Sequence, residues 1–162
     1  MTAPSSNEWN TLVITYAVCY LILYLKYVVV LTITADAGHH PKEDEKYLIF
    51  DKLEGDHGNR LKRILGNDME NLPMQGVIFW GALVIQIFQN ASGNGKTETF
   101  ALTALVIIYT ASRVLHTVFY YFAVQPYRSL MFMIALFATF STCGLMINSA
   151  NGIDFDKVFP SK

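Results

Sequence analysis

The sequence predicts an all-α integral membrane protein in which four helices cross the bilayer as a single bundle. Apolar residues make up 52% of the 162 residues. The mean hydropathy of +0.31 is above what soluble domains usually show. The apolar residues are concentrated in four stretches, and a helix needs about 20 such residues to cross a bilayer. The length fits one domain, with spans at about 11–34, 72–88, 100–124 and 128–147.

The first span, 11–34, carries Lys26 as its only charge. It is too long for a cleaved signal peptide and has no basic leader, so we expect it to stay in the mature protein. The second span, 72–88, follows the polar segment 35–71. Pro73 lacks a backbone N–H, and we expect it to kink this helix where the helix enters the membrane.

The third span, 100–124, contains Arg113, His116 and Tyr120. Ionisable residues are costly inside a bilayer and usually face the interior of a bundle, where they mark a site. With Thr117, these residues are spaced i, i+3, i+4, i+7 and so share one face of a helix.

The fourth span, 128–147, has no charge after Arg128. A very short connection around Pro126 joins it to the third span, so these two helices are predicted to be antiparallel neighbours. The connection between the second and third spans, 89–98, is rich in turn residues.

The cationic residues predict an orientation. The segment 35–71 and Arg128 together carry seven of them, against three on the other side at Lys96, Lys157 and Lys162. The positive-inside rule then places 35–71 in the cytoplasm and both termini outside or in a lumen.

The net charge of −1 gives no argument for binding nucleic acid. Cys19 and Cys143 lie inside apolar stretches and are interpreted as small buried hydrophobes. No CxxC, HExxH or glycine-rich phosphate loop is present, so no metal or nucleotide site is predicted.

Two groups of polar residues are candidates for a site. Arg63, Asn67 and Glu70, spaced i, i+4, i+7, offer a guanidinium, an amide and a carboxylate, which suit a small zwitterion with several carboxylates. Arg128 and Ser129 follow a helix-starting proline, where a cation, a hydroxyl and the helix dipole would lower the pKa of a thiol. The alternatives are a solvated helix end for the first group and an interfacial anchor for Arg128.

Three ordered motifs resemble the MAPEG family, the membrane-associated proteins in eicosanoid and glutathione metabolism. GNDME at 66–70 resembles the family's asparagine–x–x–glutamate signature. SRVLHTVFY at 112–120 resembles its arginine–x–x–histidine–threonine–x–x–tyrosine pattern, and QPYRS at 125–129 resembles its proline–x–arginine element. The resemblance is closest to the branch of microsomal glutathione transferase type 1 and prostaglandin E synthase.

This resemblance implies a homotrimer of four-helix bundles in the endoplasmic reticulum membrane, with one glutathione site between neighbouring subunits. It implies that glutathione is held by Arg63, Asn67, Glu70, Arg113, His116 and Tyr120. It also implies that Arg128 and Ser129 hold the reactive thiolate, and that the second substrate is a lipophilic molecule or lipid.

The chain departs from the family pattern in several places. The arginine common near position 38 is missing, and the sequence leaves open whether His39 or His40 replaces it. Gly66 and Phe132 stand where the prostaglandin synthase has arginine and tyrosine. These departures argue against prostaglandin H2 as the substrate.

The leading hypothesis is a glutathione-dependent enzyme that conjugates lipophilic electrophiles or reduces lipid hydroperoxides. The alternatives are a non-enzymatic protein that binds and presents a lipid, and an isomerase like prostaglandin E synthase. A small channel or transporter is a further reading, but the sequence shows no internal repeat of the kind many transporters have.

Overall fold

The computed structural model describes residues 6–39, 56–92 and 98–158. Within these ranges the backbone forms four long helices and one short one. They are α1 (Ser6–His39), α2 (Asp56–Ala91), α3 (Thr99–Tyr121), α4 (Gln125–Ala150) and α5 (Phe155–Val158). All four long helices are long and apolar enough to cross a membrane. The predicted all-α membrane fold with four spans is therefore confirmed, and the chain is an integral multi-pass membrane protein.

The helices extend beyond the predicted spans. The second half of the polar segment 35–71 is helical, because α2 begins at Asp56 and continues through Pro73 to Ala91. Within residues 59–71, Leu61 and Ile64 are buried and anchor this part of α2 to the bundle. Residues 40–55 of the predicted cytoplasmic loop lie outside the described part of the chain, as do residues 93–97 of the predicted turn-rich connection.

One apolar core holds the four long helices together. Tyr16 of α1, Phe79 of α2 and Tyr109 of α3 are almost fully buried. The ring centroids of Tyr16 and Phe79 are 6.2 Å apart in an edge-on arrangement, and those of Phe79 and Tyr109 are 5.3 Å apart. Ala138 of α4 is fully buried in the same cluster. Such aromatic pairs contribute more than their buried area alone.

Large apolar side chains also cover the outside of the bundle. Ile14, Val77 and Phe137, on three different helices, are each more than half exposed. In water this surface would be unfavourable, but lipid tails are as apolar as these side chains and no hydrophobic force opposes their exposure. The outer surface therefore fits a bilayer.

A three-residue turn, 122–124, joins α3 to α4. The N–H of Val124 donates to the carbonyl of Phe119 at 2.9 Å, and the N–H of Ala123 donates to that of Tyr120 at 3.2 Å. Ala123 has a φ of 59°. This is the hydrogen-bond pattern of a Schellman cap, with alanine at the left-handed position that glycine usually occupies. The cap reverses the chain within a few residues, so the end of α3 and the start of α4 lie side by side as predicted.

Candidate functional site

A cavity of about 320 Å³ lies beside the α3–α4 turn. Its wall combines the first turns of α2 with the end of α3 and the start of α4, and three of its side chains are arginines. The lining residues are Asn59, Arg60, Arg63, Tyr120, Ala123, Gln125 and Arg128. A cavity with this many guanidinium groups suits an anion with more than one carboxylate.

Arg128 is held in this cavity by two contacts. Its guanidinium carbon lies 4.6 Å from the centroid of the Tyr120 ring, which is within the range of a cation–π interaction. Its Nη2 donates to Oε1 of Gln125 at 3.0 Å. The N–H of Arg128 reaches the carbonyl of Val124 at 3.2 Å, so the residue lies in the first turn of α4, as predicted. The cation and the positive end of the helix dipole therefore act at the same place.

His116 and Tyr120 continue the polar face of α3 toward this cavity. The two rings meet edge-on with centroids 5.8 Å apart, and the His116 ring lies 6.3 Å from that of Phe132. His116 is only 6% exposed. Its ring therefore packs between the Tyr120 ring of its own helix and the Phe132 ring of α4.

A second group of polar residues is buried where α1, α2 and α3 meet. We call Lys26, Asp68 and Arg113 the charge cluster. Oδ1 of Asp68 accepts from Nζ of Lys26 at 2.8 Å and from Nη2 of Arg113 at 2.9 Å. Asp68 is 1% exposed and Arg113 is 2% exposed. Lys26 also donates to Oγ1 of Thr117 at 3.2 Å, and Arg113 donates to Oδ1 of Asn67 at 2.7 Å.

Arg113 does not line the large cavity. It borders a separate cavity of about 40 Å³ between α2, α3 and α4, which also touches Asn71, Gln75, Tyr109 and Thr139. Nε of Arg113 and Oη of Tyr109 have no hydrogen-bond partner among the described residues. The lining also includes the apolar side chains of Phe132 and Leu136. A cavity of this size has room for roughly two or three water molecules and is too small for a peptide.

The residues that the sequence predicted for the site therefore fall into three groups. Arg63, Tyr120 and Arg128 line the large cavity. Asn67, Arg113 and His116 lie deeper, in contact with other side chains of the bundle. Glu70 and Ser129 are exposed and do not line the cavity in this single chain.

Sequence reasoning missed the role of Lys26 and Asp68. Lys26 is the only charge in the first span, and such a residue needs a partner inside the bundle. That requirement was the signal for an acidic residue on a neighbouring helix, and Asp68 is that residue.

A family model for MAPEG matches residues 11–148 of this chain. The chain belongs to the MAPEG family. Members of the MAPEG family use glutathione, and the family includes transferases, peroxidases and isomerases. The match covers all four membrane helices, the large cavity and the charge cluster. Comparison with curated proteins and with solved structures gave no match.

Proposed function

We propose that this MAPEG protein is a glutathione-dependent enzyme of the branch that contains microsomal glutathione transferase type 1 and prostaglandin E synthase. It activates the glutathione thiol for conjugation to lipophilic electrophiles, for reduction of lipid hydroperoxides, or for both. The supporting observation is Arg128, which is held over the Tyr120 ring at the start of α4 and lines a cavity with two further arginines. By the same resemblance we propose the endoplasmic reticulum as the location, and by the positive-inside rule we propose that 35–71 faces the cytoplasm.

The cavity and the residues beside it offer donors for the carboxylates and the thiol of glutathione. Glutathione has two carboxylates, one ammonium and one thiol. Arg63 and the amide of Asn67 would hold a carboxylate, because a guanidinium and an amide both donate to carboxylate oxygens. Tyr120 lines the cavity, and the His116 ring packs edge-on against it. Of the two other arginines in the cavity, Arg60 donates to the backbone carbonyl of Tyr121 at 3.4 Å. Arg128 lies at the start of α4, where the helix dipole also favours a thiolate, so we assign Arg128 to the sulfur.

The energy that thiol activation requires is modest. A free thiol has a pKa of about 8.5. Lowering that pKa to about 6.5 makes most of the bound glutathione a thiolate at neutral pH and needs roughly 2.7 kcal/mol of differential stabilisation. One guanidinium near the sulfur in a partly dry site can supply this. The hydroxyl of Ser129, one residue further along α4, would donate to the same sulfur when the site is complete.

The thiolate then reacts with a lipophilic partner from the bilayer. In conjugation, the sulfur forms a bond to an electrophilic carbon while the leaving group departs with its electron pair. In peroxide reduction, the sulfur attacks the terminal oxygen, the O–O bond breaks and the lipid alcohol leaves after taking up a proton. A second glutathione then reduces the resulting sulfenic acid, giving glutathione disulfide and water. Only the placement of the thiolate is common to both reactions.

Absorbance spectroscopy tests this proposal directly. Stopped-flow ultraviolet absorbance of the purified protein mixed with glutathione should show the thiolate band at neutral pH. S-methylglutathione is the matched control, because it has the same carboxylates and ammonium but no thiol to ionise. Absence of the thiolate band when glutathione is saturating would reject the enzymatic proposal.

We further propose a homotrimer in which neighbouring subunits share each site. Glu70 is exposed on α2 and does not reach the cavity of its own chain. A carboxylate on the surface of a membrane helix is unfavourable against lipid, and a neighbouring subunit would cover it. Across such an interface, Glu70 can bind the ammonium of a glutathione whose sulfur lies at Arg128 of the other subunit.

Mixed oligomers test the shared site. We expect Glu70→Ala and Arg128→Ala subunits to be nearly inactive alone and to regain part of the activity when co-assembled, because some interfaces then carry both intact residues. Oligomers mixed from two differently tagged Arg128→Ala subunits are the control. If native mass spectrometry confirms mixing and activity stays at the level of the single variants, each site lies within one subunit.

One observation favours a second candidate, a non-enzymatic protein that binds and presents a lipid. An apolar cavity of about 260 Å³ lies between α1, α2 and α3, and its lining includes Val30, Ile64, Tyr121 and Phe122. A cavity of this kind could hold an acyl chain. Under this candidate, lipid would copurify with the protein and the thiolate band would be absent, so the same absorbance experiment separates the two functions.

A further inference from the structure

We propose that Asp68 is a positioning residue for the glutathione site. It fixes Arg113, and Arg113 in turn fixes the orientation of the Asn67 amide. Arg113 therefore acts through Asn67 and does not itself touch glutathione. This inference rests on the proposed function and changes the role that the family resemblance implied for Arg113.

The first support is that one carboxylate oxygen joins three helices. Oδ1 of Asp68 on α2 accepts from Lys26 on α1 at 2.8 Å and from Arg113 on α3 at 2.9 Å. All three side chains are nearly or fully buried. Charge-assisted hydrogen bonds away from water are short and strong, so this junction limits how far α3 can slide or rotate relative to α2.

The second support is the orientation of the Asn67 amide. Nη2 of Arg113 lies 2.7 Å from Oδ1 of Asn67. A guanidinium can only donate, so the amide atom that faces it must be the oxygen. The amide nitrogen and its two hydrogens then point away from Arg113. Asn67 is thereby kept as a donor, which is the arrangement that a carboxylate of glutathione requires.

The third support is the position of Arg113 itself. It is 2% exposed, and its Nη2 is already shared between Asn67 and Asp68. The cavity that it borders measures about 40 Å³, whereas the cavity that holds Arg63 and Arg128 measures about 320 Å³. Arg113 is buried with its Nη2 occupied, whereas Asn67 is only partly buried, so Asn67 is the more accessible of the two to a ligand.

The variants must separate two effects, the loss of the contacts that position the Asn67 amide and a change in the net charge of the charge cluster. Lys26→Met removes one cation but leaves the ion pair of Asp68 and Arg113, and with it the contact to Asn67. Adding Asp68→Asn keeps the shape of the side chain but removes the charge that holds Arg113. The double variant has the same net charge in the cluster as the wild type, one positive, because one cation and one anion are lost together.

Isothermal titration with glutathione in detergent is the experiment. We expect Lys26→Met to bind within about threefold of the wild type, and Lys26→Met/Asp68→Asn to bind at least about tenfold more weakly. The thiolate signal per bound glutathione should not change, because Arg128 and Tyr120 lie outside the charge cluster. Equal affinity in the two variants would overturn the proposal, whether that affinity is high or low.

A second variant keeps the test decisive if the double variant does not fold. Asn67→Asp keeps an oxygen acceptor for Arg113 and neutralises the extra positive charge, but it removes the N–H donors. A purely structural role for these residues predicts a stable protein with normal affinity, whereas positioning predicts at least a tenfold loss. If wild-type protein binds no glutathione at all, the proposed function fails and this inference fails with it. If wild type and Asn67→Asp bind equally, the inference fails together with the carboxylate contact proposed for Asn67, while thiol activation at Arg128 is unaffected.

Discussion

Arg128→Ala is expected to lower turnover with glutathione by at least about 100-fold while the four-helix bundle remains folded in detergent. Removing one group that stabilises developing or bound charge typically costs 10²- to 10³-fold. Arg128 is half-buried beside Tyr120, so its loss removes a cation from the cavity without opening the apolar core. Arg128→Lys should recover little, because an ammonium gives a point charge in place of a flat group that stacks on the Tyr120 ring.

The measurement is kcat and KM together with the thiolate absorbance of each variant. Lys62→Ala is the matched control, since Lys62 is exposed on α2 and does not line the cavity, and its loss changes the net charge equally. Turnover near that of the wild type in Arg128→Ala, with a normal thiolate band, would show that another group activates the sulfur.

Asp68→Asn alone is expected to be the most destabilising conservative change in the bundle, by about 3–5 kcal/mol. It leaves Lys26 and Arg113 buried near each other with no counter-charge. Adding Lys26→Met should restore most of the lost stability, because one of the two uncompensated cations is then gone. If the cluster stabilised the bundle only through the number of its hydrogen bonds, adding Lys26→Met to Asp68→Asn would not restore stability.

Unfolding titrations with dodecyl sulfate in mild detergent can measure the stability of the wild type, of Asp68→Asn, of Lys26→Met and of the double variant. Thr32→Ala is a suitable control on α1, because Thr32 is exposed and its hydroxyl donates to the carbonyl of Val28 within the same helix. A single Asp68→Asn variant as stable as the wild type, or a double variant less stable than Asp68→Asn, would contradict the electrostatic account.

The number and order of the membrane helices could be predicted because composition over about 20 residues decides them. Their ends could not, since helix formation by the polar residues 59–71 depends on Leu61 and Ile64 packing inside the bundle. The turn has alanine and not glycine at position 123, so no residue in the sequence signalled its left-handed conformation.

The charge cluster shows why the site was harder to predict than the fold. Asp68 and Glu70 are both acidic and two residues apart, which on a helix separates them by about 200°. Asp68 therefore lies inside the bundle while Glu70 is exposed. Only the rotation of α2 against α1 and α3 decides which of the two meets Lys26, and that rotation results from packing along the whole helix. For the same reason, spacing alone could not predict that the Arg113 guanidinium would donate to Asp68 and Asn67.

The shared oxygen of Asp68 also has a consequence for how the protein is made. Ribosomes deliver α1 to the membrane before α2, so Lys26 enters the bilayer when its partner, 42 residues later in the chain, has yet to be inserted. A lone lysine at a helix centre costs about 2.5–3.5 kcal/mol on the insertion scale, and the other residues of the span have to outweigh it. The newly inserted α1 is thus incomplete until α2 arrives, and the cluster closes only when α3 brings Arg113. A chain halted before residue 68 would present an unpaired lysine to lipid, a defect that the quality-control machinery of the membrane could detect.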